Sequence, residues 1–258
     1  MTTAAQLDLT PAPGPAPARQ RVLAQAGGEV AVLLRNGEQL LVAVVLPVLV
    51  LVGLVQAQSP DLSPGRRVDV VTPGVLALAL ISSAFTGQAI QTGFDRRYGV
   101  LRLLGSTPLG RTGLLAAKAA AALAVIAIQV VVIGAVGLAE GWHPHLLGLL
   151  PAAVLLVVGA AAFVALALLL AGLLRAEAVL AVANLVWVLL LAGSAVVVPA
   201  SVMPSTLGRV AKVLPSGALG EGLRDAFQHG RLDVAALAVL VVWLAAAAAL
   251  VSRTFRWS

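Results

Sequence analysis

The chain has 258 residues, of which 60% are hydrophobic and 11% charged, with a formal net charge of +6 and no cysteine. An ordinary soluble domain carries about a quarter charged residues, so this chain has too little charge to cover a water-facing surface, and soluble, fibrous and disordered classes are excluded. The lack of cysteine removes disulfide frameworks, thiol nucleophiles and thiolate metal sites.

Residues 1–18 contain Pro11, Pro13, Pro15 and Pro17 among alanines and no aromatic, which predicts a disordered N-terminal tail. From Arg19 to Arg35, Val22, Leu23, Ala26, Val30, Leu33 and Leu34 recur at helical spacing. They predict a short amphipathic elbow helix along the membrane surface, weakened by Gly27 and Gly28. Six apolar runs follow, at 40–55, 74–93, 114–139, 146–174, 179–199 and 234–251. A span needs about 20 residues, so the expectation is an all-α, polytopic protein whose residues 19–258 form one domain of six transmembrane helices. Val55-Gln56-Ala57 behind the first run resembles a signal-cleavage site, but the run is preceded by a long segment without a compact basic patch, and it is read as a span.

Lysine and arginine counts in alternate loops set the orientation. The side holding the N-terminus, the second and fourth loops and the C-terminus has 11 of the 17 basic residues, against 6 on the other. Both termini are therefore expected in the cytoplasm. A basic excess of this kind is the signature of cytoplasmic loops, and no basic segment is interleaved with aromatics in the manner of nucleic-acid binders.

Ionisable residues inside a bilayer mark ion and proton pathways, and the span interiors hold none, with Lys118, Glu140 and Glu177 placed at span ends. The energy for transport must then come from elsewhere. The phosphate-cradling Gly-Lys-Ser/Thr loop is missing, since Lys118 follows Ala117 and Lys212 follows Ala211. The chain is accordingly expected not to be an enzyme, with any ATPase on a separate polypeptide.

Between the second and third spans, Asp95 to Arg111 reads as a short basic helix broken at Gly105, with Thr107 as N-cap and Pro108 at the first position of the next helix. Such a helix suits either docking into a soluble partner or anchoring to lipid headgroups. The run Arg97 to Lys118 resembles the cytoplasmic segment of ABC-2 type transporter permeases, the membrane subunits of drug, lipid and polysaccharide exporters. Arg35-Asn36 with Gln39-Leu40-Leu41 and Leu46-Pro47-Val48, the stretch from Met203-Pro204 through Leu214-Pro215 to Leu223-Arg224-Asp225-Ala226 and Gly230, and the ending Thr254-Phe255-Arg256-Trp257 resemble that family in the same order.

The resemblance implies a coupling helix within Asp95 to Arg111. Arg96, Arg97, Arg102 and Arg111 would be its polar contacts, Leu101 and Leu104 its apolar ones, Tyr98 and Gly99 part of it, and Thr107-Pro108 its joint to the third span. It further implies a dimer with a second permease copy or homologue, two cytoplasmic ABC ATPase subunits that carry ATP and Mg, export across a bacterial plasma membrane, and short re-entrant helices before the last span. Pro204, Pro215 and Gly217 would be breakpoints of those helices. Arg224 with Asp225 would form an outer gate or a solvated charge cluster.

Polar span residues offer a route or a packing surface. Ser83, Gly87 and Gln91 stack at helical spacing with Thr86 and Gln88 beside them, Gln129 lies in the third span and Asn184 in the fifth; small residues and amides serve helix packing equally well. His143-Pro144-His145 lacks the further ligands of a metal site, and Trp142 and Trp257 fit interfacial anchors. A stand-alone secondary carrier or channel and a non-transporting membrane assembly subunit are the alternatives to a permease.

Overall fold

The computed structural model describes residues 14–35, 37–57, 66–193 and 196–254. Among them every regular element is helical: α1 (Ala18–Arg35), α2 (Gly37–Gln56), α3 (Arg67–Ile81), a π-helical turn (Ser82–Gly87), α4 (Gln88–Arg97), α5 (Val100–Gly105), α6 (Gly110–Ala139), a 3-10 turn (Leu146–Gly148), α7 (Leu149–Leu173), α8 (Ala176–Gly193), α9 (Ser205–Val213), α10 (Pro215–His229) and α11 (Val234–Thr254). Helices are what these runs of Leu, Val and Ala must form in lipid, where each backbone group needs a partner within its own segment. Most of the tail predicted to be disordered lies outside the described residues, as do Asn36 and the closing Phe255-Arg256-Trp257.

Four of the six predicted runs form helices long and apolar enough to cross a membrane: Arg67–Arg97, Gly110–Ala139, Leu146–Leu173 and Val234–Arg253. The first and fifth runs form α2 (Gly37–Gln56) and α8 (Ala176–Gly193), of which the stretches Ala43–Gln56 and Ala176–Leu190 stand as shorter apolar helices among the described residues; the described residues support four spans, and the remainder of the predicted six rests on the sequence. Pro47 lies inside α2, and α8 ends at Gly193, short of the predicted Pro199. The second run extends in both directions, because α3, the π-helical turn and α4 are one continuous helix of 31 residues, about 46 Å at 1.5 Å per residue.

That long helix and α6 form an antiparallel hairpin. Close approach at one end is set by Gly137, where an added Cβ would come within 2.9 Å of Thr72. α7 packs between this hairpin and α11, and α10 fits against α3, α7 and α11. The shared core includes Leu80, Ile81, Leu155, Phe163, Leu168 and Leu219, all essentially inaccessible, with Phe85 edge-on to Phe163 at 6.5 Å.

Two expectations for the periphery are corrected. Trp142 is 5% exposed and packs edge-on against Phe227 at 5.0 Å; it belongs to the core beneath the α6–α7 turn and is not an interfacial anchor. Gly217 lies within α10 and is no breakpoint; its missing side chain instead lets α9 approach, since a Cβ there would run into the Ala211 carbonyl. Pro204 and Pro215 do mark boundaries, immediately before α9 and at the first position of α10.

Candidate functional site

The turn between α4 and α6 is built by glycine and arginine. Gly99 has φ +77° and separates α4 from α5, a left-handed conformation that side chains with a Cβ avoid. Arg96 donates from Nη1 to the carbonyls of Ala171 at 3.0 Å and Gly172 at 2.9 Å, satisfying the open C-terminus of α7 where a cation is favoured. Arg97 pairs with Glu177 on α8. Arg111 donates to the Ser252 carbonyl near the end of α11. Three of the four arginines expected to meet a partner thus tie helix ends of this chain together.

The apolar expectations change similarly. Leu101 is fully buried and Leu104 packs against the core, so neither is presented outward. The exposed surface of the turn is Tyr98, Val100 and Leu103, at 73%, 41% and 69% exposure, with Arg102 exposed beside them and Tyr98 stacked on Phe94 at 6.1 Å. α5 does end at Gly105, but α6 begins at Gly110, so Pro108 is not its first residue. Thr107 Oγ1 donates to the Leu104 carbonyl at 2.6 Å and accepts from Leu109 N–H at 3.4 Å, within the turn.

Directly behind this turn lies a cluster that sequence reasoning missed. Lys118 is a fully buried residue of α6, not a span-end cation. Its Nζ is 2.9 Å from Glu29 Oε1 on α1 and 3.4 Å from Asp95 Oδ2 on α4. Gln25 Nε2 donates to Glu29 Oε1 at 3.1 Å and Gln91 Nε2 to Glu29 Oε2 at 3.3 Å. The signal was present in the sequence as a lysine eight residues into a helix, but its partners are separated from it by 89 and 23 positions.

A second polar knot lies three turns along the same face of α6, since Lys118 and Gln129 are 11 residues apart. Gln129 Nε2 donates to the Ala43 carbonyl of α2 at 2.8 Å and to Ser83 Oγ at 2.9 Å. The predicted polar face of the second span is therefore real at Ser83 and Gln91, and both side chains bond neighbouring helices of the same subunit. Gln88 is buried. Asn184 sits apart, exposed on α8 and donating to its own Leu180 carbonyl at 2.9 Å.

At the opposite end, Arg224 and Asp225 do not pair. Adjacent residues on a helix point about 100° apart. Arg224 is 5% exposed and donates to Glu221 Oε1 at 2.8 Å, to the Val70 carbonyl at 3.2 Å and to the Val196 carbonyl. Asp225 instead accepts from Arg231 Nε at 2.9 Å and lies 2.9 Å from His229 Nδ1. Partial burial pushes the Asp225 carboxyl up, but the Arg231 guanidinium and His229 outweigh it and hold the group below the usual carboxylate range. These residues line a cavity of about 960 Å³ whose wall also includes Asp69, Trp142 and Lys212. His143 lies against Arg66 at 2.8 Å, which belongs to the same wall.

A helical bundle with hydrophobic spans, a basic turn at one end and a charged cavity at the other defines a polytopic membrane protein. The ABC-2 family transporter protein model matches residues 41–252. The chain therefore belongs to the ABC-2 transporter family, and it is a membrane permease component of an ABC transporter rather than its nucleotide-binding component. No curated protein sequence matches it significantly.

Proposed function

We propose that the chain is the permease subunit of an ATP-driven exporter, working as a dimer of permeases with two cytoplasmic ATPase subunits that carry ATP and Mg. Six apolar helices then cross the plasma membrane, α1 serves as the elbow helix, both termini are cytoplasmic, and α9 and α10 are the short outer helices before the last span. The observation that carries this reading is the exposed knob of Tyr98, Val100 and Leu103 with Arg102. Large apolar side chains at the water-facing end of a helical hairpin mark an interaction site, and here their base is fixed by Arg96 and Arg97. A rigid mount of this kind transmits force.

The knob separates docking from support. Arg102→Glu with Leu103→Asp changes only exposed side chains, so folded protein is expected in normal amount while ATP-dependent transport in vesicles containing the chain and its ATPase falls at least tenfold. Co-purification measured in parallel is expected to lose the ATPase. Undiminished transport with normal co-purification would overturn the assignment of the knob.

A further inference from the structure

The apolar attachment of α1 to the rest of the molecule is thin, with Val22 and Val30 only half-buried. Among its described residues Ala26 is the only buried hydrophobic side chain, while Leu23, Val32 and Leu34 are 54%, 62% and 46% exposed. Of the six apolar residues that suggested an amphipathic stripe, Leu23 and Leu34 thus face outward. Yet α1 packs along α6, and Glu29 in its interior is 6% exposed. The attachment is polar: both oxygens of Glu29 lie within 3.0 Å of Lys118 Nζ, and each also accepts from an amide, Gln25 on one side and Gln91 on the other.

A buried ammonium needs a charged or hydrogen-bonding partner, and Lys118 has two carboxylates from different elements. One is on α1; the other, Asp95, immediately precedes Arg96, which holds the end of α7. We propose that Lys118 is a positioning residue that clamps α1 to the α4–α6 turn, so that α1 moves as one body with residues 95–111. On the coupling reading above, on which this rests, nucleotide-driven motion received at the turn reaches the N-terminal helix through the Glu29–Lys118–Asp95 cluster as directly as it reaches α6. Charge-assisted contacts in a water-excluded site are stiff and directional, whereas the small apolar contacts of Ala26 and the half-buried Val22 and Val30 fix the position of α1 less sharply.

Amide exchange in the full-length chain with its ATPase, with and without a non-hydrolysable ATP analogue, tests the clamp. In the wild type, residues 18–35 and 95–111 are expected to change together on nucleotide addition. Glu29→Gln removes one charge but leaves the Lys118–Asp95 pair, so the fold is retained. It is expected to raise nucleotide-free exchange of residues 18–35 at least tenfold and to abolish their nucleotide response, while residues 95–111 still respond. Glu29→Gln with Lys118→Gln should loosen α1 no further than Lys118→Gln alone, and Lys118→Arg should restore much of the response. Exchange of α1 within twofold of wild type in Glu29→Gln, with its response intact, would overturn the clamp. If neither segment of the wild type responds to nucleotide, the coupling reading fails, and the clamp is still decided by the nucleotide-free comparison.

Discussion

Arg224 shows how one side chain organises the outer end of the bundle. Its guanidinium meets a carboxylate and two backbone carbonyls, and Gly74 leaves room for it, since a Cβ there would lie 3.0 Å from Nη2. Arginine suits this task because its planar fork presents several fixed donors. Removing one partner of a buried pair costs about 3–5 kcal/mol. Arg224→Met is therefore expected to lower thermal stability in detergent by an amount of that order. The double variant Glu221→Gln with Arg224→Met should recover part of the loss, because it leaves no unpaired carboxylate. Asp225, one residue on, behaves differently because it is paired at the surface. Its carboxyl is held below the ordinary value, near 3.9 for a free aspartate. A depressed pKa contributes stability above the unfolded value and loses it as pH falls through the folded one. Asp225→Asn should therefore be slightly less stable at neutral pH, by no more than the modest worth of a surface pair. The difference from wild type should begin to shrink in melts run below about pH 4 and vanish only once the pH has fallen below the depressed folded pKa. Arg224 and Asp225 line one cavity but take different partners, since sequence adjacency on a helix means divergence in space.

At the scale of elements, the arginines have a common purpose that a loop count conceals. Arg96 serves the end of α7, Arg111 the end of α11 and Arg67 the end of α2 through the Leu54 carbonyl at 2.5 Å. Each sits where a helix leaves carbonyls unsatisfied and its dipole is negative. The positive-inside count treats such residues as free cations, and so it could predict orientation but not their partners. The apolar runs, by contrast, were legible as helices because the helix is settled by local composition. The Lys118 cluster was not legible, because whether a lysine snorkels or is buried depends on Glu29 and Asp95 arriving from other elements. The cap predicts a specific defect: Arg96→Ala should cost about 1–3 kcal/mol, the range for stranded buried carbonyls. It should also raise amide exchange at residues 170–174 relative to the rest of α7. Arg96→Lys, which keeps the charge but has no fork, should fall between the two.

For the whole molecule, the family is assigned on residues 41–252, and the knob and the charged cavity lie at opposite ends of the long helix that begins at Arg67 and finishes at Arg97. With four helices of full spanning length and two shorter apolar stretches among the described residues, sidedness rests on which end faces water on each side. The absence of cysteine makes this directly measurable, because a single introduced thiol is the only target for a maleimide. Arg231 is 70% exposed at the cavity rim and Arg102 is exposed at the knob. If the cavity opens outward and the turn is cytoplasmic, Arg231→Cys is labelled by a membrane-impermeant maleimide in intact cells, whereas Arg102→Cys is labelled only after permeabilisation. The reverse pattern would place the ATPase-facing surface outside the cell and refute the orientation. Labelling of both in intact cells would refute the opposed placement of knob and cavity, because a helix of about 46 Å separates two sides only if it crosses the bilayer.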